Sequence, residues 1–316
     1  MYNILVPDNV DADAVALLEK VDGFKVTAPG KMNRADALVA IAEAHALIIR
    51  SATTADAELI NAAPNLKVIA RAGVGVDNVD LKVATENGVV VMNTPDGNTI
   101  STAEFTLGLM LSLARHIPAG DQSMREGKWD RKSFTGLELR GKTLGLIGFG
   151  RIGQAVAKRA LAFDMTVIAY DPFVTSTALD VELVDLDTLY SRADFISLHS
   201  VITDTTRGMI NAESIAKMKA GVRIVNAARG ALIDDAALAE AIKSGKVAGA
   251  ALDVYQKEPP PEDNPLVNLP GVIHTPHLAA STDDAQIQVG VDAVQQVIDA
   301  LTKGEYRNVV NSEVLK

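Results

Sequence analysis

Short apolar segments rich in β-branched residues alternate with helix-like spacers along the chain, and each segment ends in turn-forming residues. This alternation is typical of parallel βαβ units. It occurs in two series and predicts an α/β fold with two doubly wound parallel-sheet domains. The strands predicted for the first series are residues 3–8, 24–29, 46–51, 66–73 and 88–95, and those for the second are residues 142–150, 165–171, 194–200, 223–229, 247–255 and 271–277.

Two longer apolar helices are predicted to connect the series. The first begins at Asn98 or Thr99, and the second is capped by Ser281 or Thr282 and ends at Gly304. We expect the second helix to pack back on the first series. The predicted domains are therefore residues 1–97 with 284–316, and residues 98–283.

The composition is that of an ordinary globular protein, with 48% hydrophobic and 22% charged residues among 316. A net charge of -10 without a long basic run argues against a nucleic-acid partner. No apolar stretch reaches the roughly 20 residues of a membrane span, and the first residues do not resemble a secretory signal. We expect a soluble cytoplasmic protein with no membrane partner. The chain has no cysteine, and no metal site is predicted.

A glycine-rich loop, GFGRIG, separates a predicted strand from a predicted helix and has the G-x-G-x-x-G spacing. In this motif Gly148 permits the tight turn, Gly150 lets the backbone approach a pyrophosphate, and Gly153 allows close helix packing. Asp171 ends the next strand, where its carboxylate can bind the ribose hydroxyls of NAD and would repel the 2′-phosphate of NADP. The alternative is that Asp171 only caps the loop before Pro172.

Polar residues follow the strands of the second series, at the sheet edge where ligands bind in such folds. Arg229 has the planar fork that holds a carboxylate, although a surface ion pair is the alternative. Glu258 precedes a proline run, and His277 follows the last strand. A histidine with a carboxylate partner can give and take a proton near neutral pH. Position alone gives the other histidines a packing or surface role: His45, His116, His199 and His274.

The first series carries a second set of candidates. Successive N–H groups of Gly73, Val74 and Gly75 could form an anion-binding nest, unless this is a simple strand–helix turn. Arg50 with Ser51, and Arg71, end neighbouring strands. Two arginines near a small-acid site favour a phosphate group on the substrate, unless both pair with surface carboxylates.

The segments GFGRIG, NAARGALID, ALDVYQKEPP and HTPHLAAST together resemble the signatures of the D-isomer-specific 2-hydroxyacid dehydrogenases, and the similarity extends over nearly the whole chain. The resemblance implies a flavodoxin-like substrate domain, a Rossmann NAD-binding domain and a cleft between them. It also implies a homodimer, with Trp129 on a protruding arm. Longer relatives carry a further regulatory domain, which we do not expect here.

The resemblance also implies the role of each site residue. Arg229 binds the substrate carboxylate, His277 takes the proton of the 2-hydroxyl, and Glu258 orients the imidazole. Asp253 lies near the nicotinamide. The implied cofactor-binding residues are Gly148, Gly150, Arg151, Ile152, Gly153, Asp171, His199, Ser200, Ala227, Arg229, Asp253, His277 and Ala280. The implied substrate-binding residues are Arg50, Ser51, Arg71, Gly73, Val74, Arg229 and His277.

The activity expected on this basis is the NAD-dependent oxidation of a phosphorylated 2-hydroxy acid, 3-phosphoglycerate, to 3-phosphohydroxypyruvate. One alternative keeps the mechanism and changes the substrate to glyoxylate, hydroxypyruvate or another 2-keto acid. A third hypothesis is an NAD-dependent scaffold that resembles the C-terminal-binding-protein corepressors.

Overall fold

A computed structural model describes residues 1–316. None of its helices combines the length and the apolar content needed to cross a lipid bilayer. The strands are β1 (Tyr2–Leu5), β2 (Phe24–Thr27), β3 (Ala46–Ile49), β4 (Val68–Arg71), β5 (Val90–Asn93), β6 (Thr143–Ile147), β7 (Thr166–Tyr170), β8 (Glu182–Leu183), β9 (Phe195–Leu198), β10 (Val222–Asn226), β11 (Val247–Leu252) and β12 (Val272–His274). The α-helices are α1 (Ala12–Glu19), α2 (Arg34–Ala40), α3 (Ala57–Asn61), α4 (Leu81–Glu86), α5 (Thr99–Arg115), α6 (Ile117–Arg125), α7 (Arg151–Leu161), α8 (Leu186–Arg192), α9 (Ala212–Lys217), α10 (Asp235–Lys243) and α11 (Asp283–Lys303).

The chain divides into two compact units. Unit 1 consists of residues Met1–Asn98 and Ser281–Lys316. Its five strands are all parallel in the order β2-β1-β3-β4-β5, which is the flavodoxin-like arrangement. Strand β3 is buried along its whole length because it has apolar layers on both sides. Ile48 packs with residues of α1 and α11, while Leu47 and Ile49 pack with residues of α3.

Unit 2 consists of residues Thr99–Ala280. Its seven parallel strands have the order β12-β11-β10-β9-β6-β7-β8. The order reverses between β6 and β9, as in Rossmann folds, and ligands of such sheets bind at the carboxyl ends of the strands near this point. The fold class predicted from the sequence, two doubly wound parallel-sheet domains, is therefore confirmed.

The observed elements differ from the predicted ones mainly at their ends. The predicted segments extended into the loops at the carboxyl ends of the strands, where the candidate site residues lie. The two-residue strand β8 was not predicted, because it is too short to show a pattern. Helix α11 has the predicted cap, since the Thr282 hydroxyl accepts the Ala285 N–H at 3.1 Å, and it ends at Gly304 with a φ of 69°.

Candidate active site

The three glycines of the GFGRIG loop in unit 2 have different surroundings. Gly148 has a φ of 95°, and a Cβ at this position would lie 2.6 Å from the His199 carbonyl carbon. A Cβ at Gly153 would lie 2.3 Å from the Gly148 carbonyl oxygen, whereas no heavy atom lies within 4 Å of the same position at Gly150. Helix α7 follows without a side-chain cap at its N-terminus. The loop is therefore crowded at its ends and open in its middle, where a pyrophosphate would need space and N–H donors.

Asp171 lies beside this loop, directly after β7. Its carboxylate accepts the backbone N–H of Phe149 at 2.8 Å and the backbone N–H of Phe173 at 2.9 Å. The loop-capping contacts considered for this residue are thus present. Each carboxylate oxygen has a further lone pair that a ribose hydroxyl could use, so contact with the ribose stays a prediction.

His199 and Ser200 contact the first part of the same loop. The His199 N–H donates to the Ile147 carbonyl oxygen at 2.7 Å, and the Ser200 hydroxyl donates to the same oxygen at 3.1 Å. The His199 Nε2 lies 2.9 Å from the Ser197 hydroxyl oxygen. Burial lowers the pKa of His199 to about 4, so its imidazole is neutral at neutral pH.

The other predicted cofactor residues lie at the carboxyl edge of the sheet or on α7. Ala227 directly follows β10 and is buried, and Arg151 and Ile152 form the first turn of α7. Ala280 is the last residue of unit 2. No group of three or more His, Cys, Asp or Glu side chains is arranged to hold a metal ion.

Strands β10, β11 and β12 are neighbours and end at the same edge of the sheet. Asn226 of β10 pairs with Leu252 of β11, and Leu252 pairs with His274 of β12. Because all three strands are parallel, the segments that follow them leave the sheet side by side. Each of these segments carries one of the predicted catalytic residues, Arg229, Glu258 and His277.

A close backbone contact joins two of these segments. A Cβ at Gly230 would lie 1.9 Å from the Tyr255 carbonyl carbon, so the turn after Arg229 packs directly on the chain that leads to Glu258. Asn226, which is fully buried, donates through Nδ2 to the Arg229 carbonyl oxygen at 2.9 Å. The sequence analysis did not identify Asn226 as a site residue, although it lies within the NAARG motif.

His277 and Glu258 form a hydrogen-bonded pair. The His277 Nδ1 lies 2.7 Å from the Glu258 Oε2, and the other carboxylate oxygen of Glu258 accepts the Tyr255 backbone N–H at 3.1 Å. An ionised carboxylate can only accept, so the proton of the neutral imidazole lies on Nδ1 and Nε2 has the free lone pair. This arrangement leaves Nε2 to accept a proton from a substrate.

The backbone of His277 has a φ of 56°, an uncommon value for a residue with a side chain. Asp253 holds it in this conformation: its carbonyl oxygen accepts the His277 N–H at 2.8 Å, and its carboxylate accepts the N–H groups of Leu278 at 2.8 Å and Ala279 at 2.9 Å. The Thr275 hydroxyl donates to the same carboxylate at 2.6 Å.

These contacts give Asp253 a structural role that the sequence analysis did not predict. Its side chain is fully buried, and both carboxylate oxygens bind the loop that carries His277. A buried carboxylate that is used in this way supports the loop that carries His277, and a position of Asp253 near the nicotinamide stays a prediction. The sequence could not show the supporting role, because acids at strand ends serve both roles.

In unit 1, Arg50 and Ser51 directly follow β3. A buried carboxylate, Asp8, fixes this turn: it accepts the Arg50 backbone N–H at 2.6 Å and the Thr53 hydroxyl at 2.5 Å. The Arg50 guanidinium donates through Nη1 to the Asn9 carbonyl oxygen at 2.8 Å. The sequence analysis did not identify Asp8 as a support of this turn.

Arg71 ends the neighbouring strand β4 and lies against Gly73, where a Cβ would be 1.4 Å from the Arg71 Nη1. The Gly73 N–H donates to the Thr94 hydroxyl at 2.7 Å, and the Thr94 N–H donates to the Gly73 carbonyl oxygen at 3.0 Å. The prediction that three N–H groups form an anion-binding nest is therefore wrong for Gly73, whose N–H is already hydrogen-bonded to Thr94. Only the N–H groups of Val74 and Gly75 remain for an anion.

Comparison with known proteins identifies the family. The profile described as "D-isomer specific 2-hydroxyacid dehydrogenase, NAD binding domain" matches residues 107–279. The chain is 50% identical to a D-3-phosphoglycerate dehydrogenase of Archaeoglobus fulgidus over 98% of this chain and 59% of the relative. It is also 50% identical to a hydroxypyruvate reductase of Thermotoga maritima over 95% of this chain and 98% of the relative.

A solved structure supports the same assignment. A glyoxylate reductase from Paecilomyes thermophila is 33% identical, with a TM-score of 0.89 over 99% of both chains. The chain belongs to the D-isomer-specific 2-hydroxyacid dehydrogenase family, as its motifs predicted. It spans about three fifths of the length of the D-3-phosphoglycerate dehydrogenase that it matches.

Proposed function

We propose that the protein is an NAD-dependent dehydrogenase that oxidises D-3-phosphoglycerate to 3-phosphohydroxypyruvate, a step of serine biosynthesis. The observation that carries the proposal is the pairing of His277 with Glu258 at 2.7 Å, next to the strand end that bears Arg229. The similarity to D-3-phosphoglycerate dehydrogenases supports the substrate.

In this reaction NAD supplies the hydride acceptor for the hydrogen on C2. The His277 Nε2 accepts the proton of the 2-hydroxyl, and the C2–O bond becomes a carbonyl. Glu258 holds the imidazole through Nδ1 and stabilises the imidazolium formed, while the fork of Arg229 binds the carboxylate of the substrate. Release of the proton from His277 to water completes the cycle.

The residues of the GFGRIG loop fit a dinucleotide. The open position at Gly150 and the uncapped start of α7 provide space and N–H donors for a pyrophosphate. The position of Asp171 favours NAD over NADP as the cofactor, because its carboxylate would repel the 2′-phosphate of NADP.

Arg50 and Arg71 are proposed to bind the phosphate of the substrate. They come from the neighbouring strand ends of β3 and β4, where Ile49 pairs with Arg71. The N–H groups of Val74 and Gly75 would bind an anionic group in the same unit.

A second candidate is the reduction of hydroxypyruvate or glyoxylate by the same residues. The Thermotoga maritima relative, which matches this chain over 98% of its own length, favours this possibility. The reaction then runs in the opposite direction, with His277 donating the proton.

The deciding experiment measures NADH absorbance with 3-phosphoglycerate, D-glycerate and D-lactate, and in reverse with 3-phosphohydroxypyruvate, hydroxypyruvate and glyoxylate. Arg50→Glu and Arg71→Glu are tested alongside, with the exposed Lys82→Glu as a charge-matched control in unit 1. The proposal expects the first two variants to lose turnover of phosphorylated substrates far more than of glyoxylate. Equal losses on both classes would favour the second candidate, and NADH binding with no turnover at all would favour a scaffold.

We further propose that the partner is a second copy of the chain. A cavity of about 600 Å³ lies between α5, α6 and the edge strand β12. Exposed apolar side chains also occur on helix α6 or shortly after it, at Ile117, Met124 and Trp129, and burial of such side chains against a second copy would favour association. Analytical ultracentrifugation of the protein and of Trp129→Ala tests this: a dimer weakened by the substitution is expected, and a monomer at all concentrations would contradict it.

A further inference from the structure

A second hydrogen-bonded pair lies beside His277 and Glu258 and takes no part in the reaction described above. The Tyr255 hydroxyl lies 2.5 Å from the His274 Nδ1. The two rings are stacked, with centroids 6.2 Å apart and planes inclined by 25°. Tyr255 follows β11 and His274 ends β12, so the pair ties together the two segments that carry the acid–base residues.

The pair is connected to the dyad through the main chain. Tyr255 donates its backbone N–H to the Glu258 Oε1 at 3.1 Å, and the Glu258 Oε2 binds His277 at 2.7 Å. The buried ring of Tyr255 belongs to the apolar core of unit 2, and two more specific contacts anchor this N–H. One is the packing of the Tyr255 backbone on Gly230, and the other is the hydrogen bond of the phenol to His274.

Packing alone does not fix the Glu258 carboxylate. A cavity of about 500 Å³ lies next to Tyr255, His274 and the dyad, and Pro259 and Val267 form part of its apolar wall. The side chains of Glu258 and His277 are 39% and 52% exposed. With space on one side and solvent on the other, the carboxylate relies on its hydrogen bonds for its orientation.

The protonation states of the two side chains suit a hydrogen bond from the phenol to the imidazole. Burial, with a smaller contribution from the neighbouring carboxylates of Asp235, Asp253 and Glu258, raises the pKa of Tyr255 to about 12. Burial also lowers the pKa of His274. The phenol therefore remains a donor and the His274 Nδ1 an acceptor at neutral pH.

We propose that Tyr255 and His274 are positioning residues of the dyad: their hydrogen bond fixes the segment that holds the Glu258 carboxylate against His277. This inference rests on the proposed role of His277 as the base. It requires that loss of the phenol–imidazole bond disturb proton transfer while the dinucleotide site stays intact.

The test compares Tyr255→Phe and His274→Leu with the wild type. Tyr190→Phe is the matched control, because it removes another buried phenol hydroxyl from unit 2 at a distance in sequence from the dyad. Both test variants should lower kcat about 3- to 10-fold, the effect of one misplaced hydrogen bond, with an unchanged Kd for NADH. The acid limb of the pH profile of kcat/KM should move to lower pH, because a less well placed carboxylate stabilises the imidazolium less.

Three further measurements separate positioning from a general loss of stability. The double variant should be no slower than the slower single variant, since both substitutions break the same bond. His274→Gln, which restores an acceptor, should recover part of kcat. Urea unfolding of each variant shows whether the fold is retained. Wild-type kcat and an unshifted pH profile in both Tyr255→Phe and His274→Leu would overturn the proposal.

Failure of the proposed function is distinguishable from failure of this inference. If the wild type binds NADH but turns over no acid, the His277 ring resonances are followed by isotope-labelled NMR in wild type and Tyr255→Phe. A changed titration of the His277 imidazole in the variant, without a change in Tyr190→Phe, supports the positioning role. Identical titrations would overturn it.

Discussion

Asp253 and His277 are joined through the main chain: the His277 N–H donates to the Asp253 carbonyl oxygen at 2.8 Å, and the Asp253 carboxylate binds the two amides that follow. We expect Asp253→Asn to lower kcat and to destabilise the protein by about 1 to 3 kcal/mol, because an amide nitrogen would face a backbone donor in a buried place. Urea unfolding and steady-state kinetics measure the two effects. Full stability and full activity would show that the carboxylate does not support the loop.

Replacement of the base should affect catalysis and leave the dinucleotide site intact. We expect His277→Ala to lower kcat about 10²- to 10⁴-fold, which is the usual contribution of general acid–base catalysis. The Kd for NADH should change only modestly. His45→Gln in unit 1 is the control. Full activity of His277→Ala would refute the proposed role.

The glycine loop offers a pair of substitutions with opposite expectations. Gly150→Ala has no protein atom within 4 Å to meet and a φ of -72°, so the fold should tolerate it while a pyrophosphate is pushed away. Gly153→Ala would meet the Gly148 carbonyl oxygen at 2.3 Å and should destabilise unit 2. NADH titration and thermal unfolding of both variants distinguish these effects. Normal NADH affinity in Gly150→Ala would place the pyrophosphate elsewhere.

Asp171 is expected to control the choice between NAD and NADP. Asp171→Ala should raise the ratio of kcat/KM for NADP over NAD by about an order of magnitude, since a close contact between like charges is removed. Some loss of stability should accompany it, because the N–H groups of Phe149 and Phe173 lose their acceptor. An unchanged ratio would leave loop capping as the only role of Asp171.

His199 should make the protein less stable in acid. Its pKa is lowered to about 4 in the folded state, so between pH 6.5 and 4 the unfolded chain binds a proton that the folded chain does not, and stability falls as the pH falls. Between neutral pH and pH 5 this group should cost about 2 kcal/mol of unfolding free energy. Urea unfolding at both pH values measures the loss, and His199→Gln should reduce it. An equal loss in the variant would assign the acid sensitivity to other groups.

The sequence by itself determined the fold class and the family. The β-branched segments and the spacers between them predict parallel strands, and a parallel sheet brings the carboxyl ends of its strands to one edge. It also identified Glu258 and His277 as partners through the family motifs, and the structure brings their side chains to 2.7 Å, although their roles stay proposals until tested.

Only the tertiary structure decided how the polar groups at these edges are used. Asp253 and Asp171 both follow strands, yet the carboxylate of Asp253 is fully buried under the His277 loop, and that of Asp171 binds the Phe149 amide of the glycine loop. Likewise, the Gly73 N–H is taken by Thr94, which lies 21 residues away in sequence. A hydrogen bond depends on distances of a few tenths of an ångström between segments far apart in the chain, and a one-dimensional pattern carries no such distances.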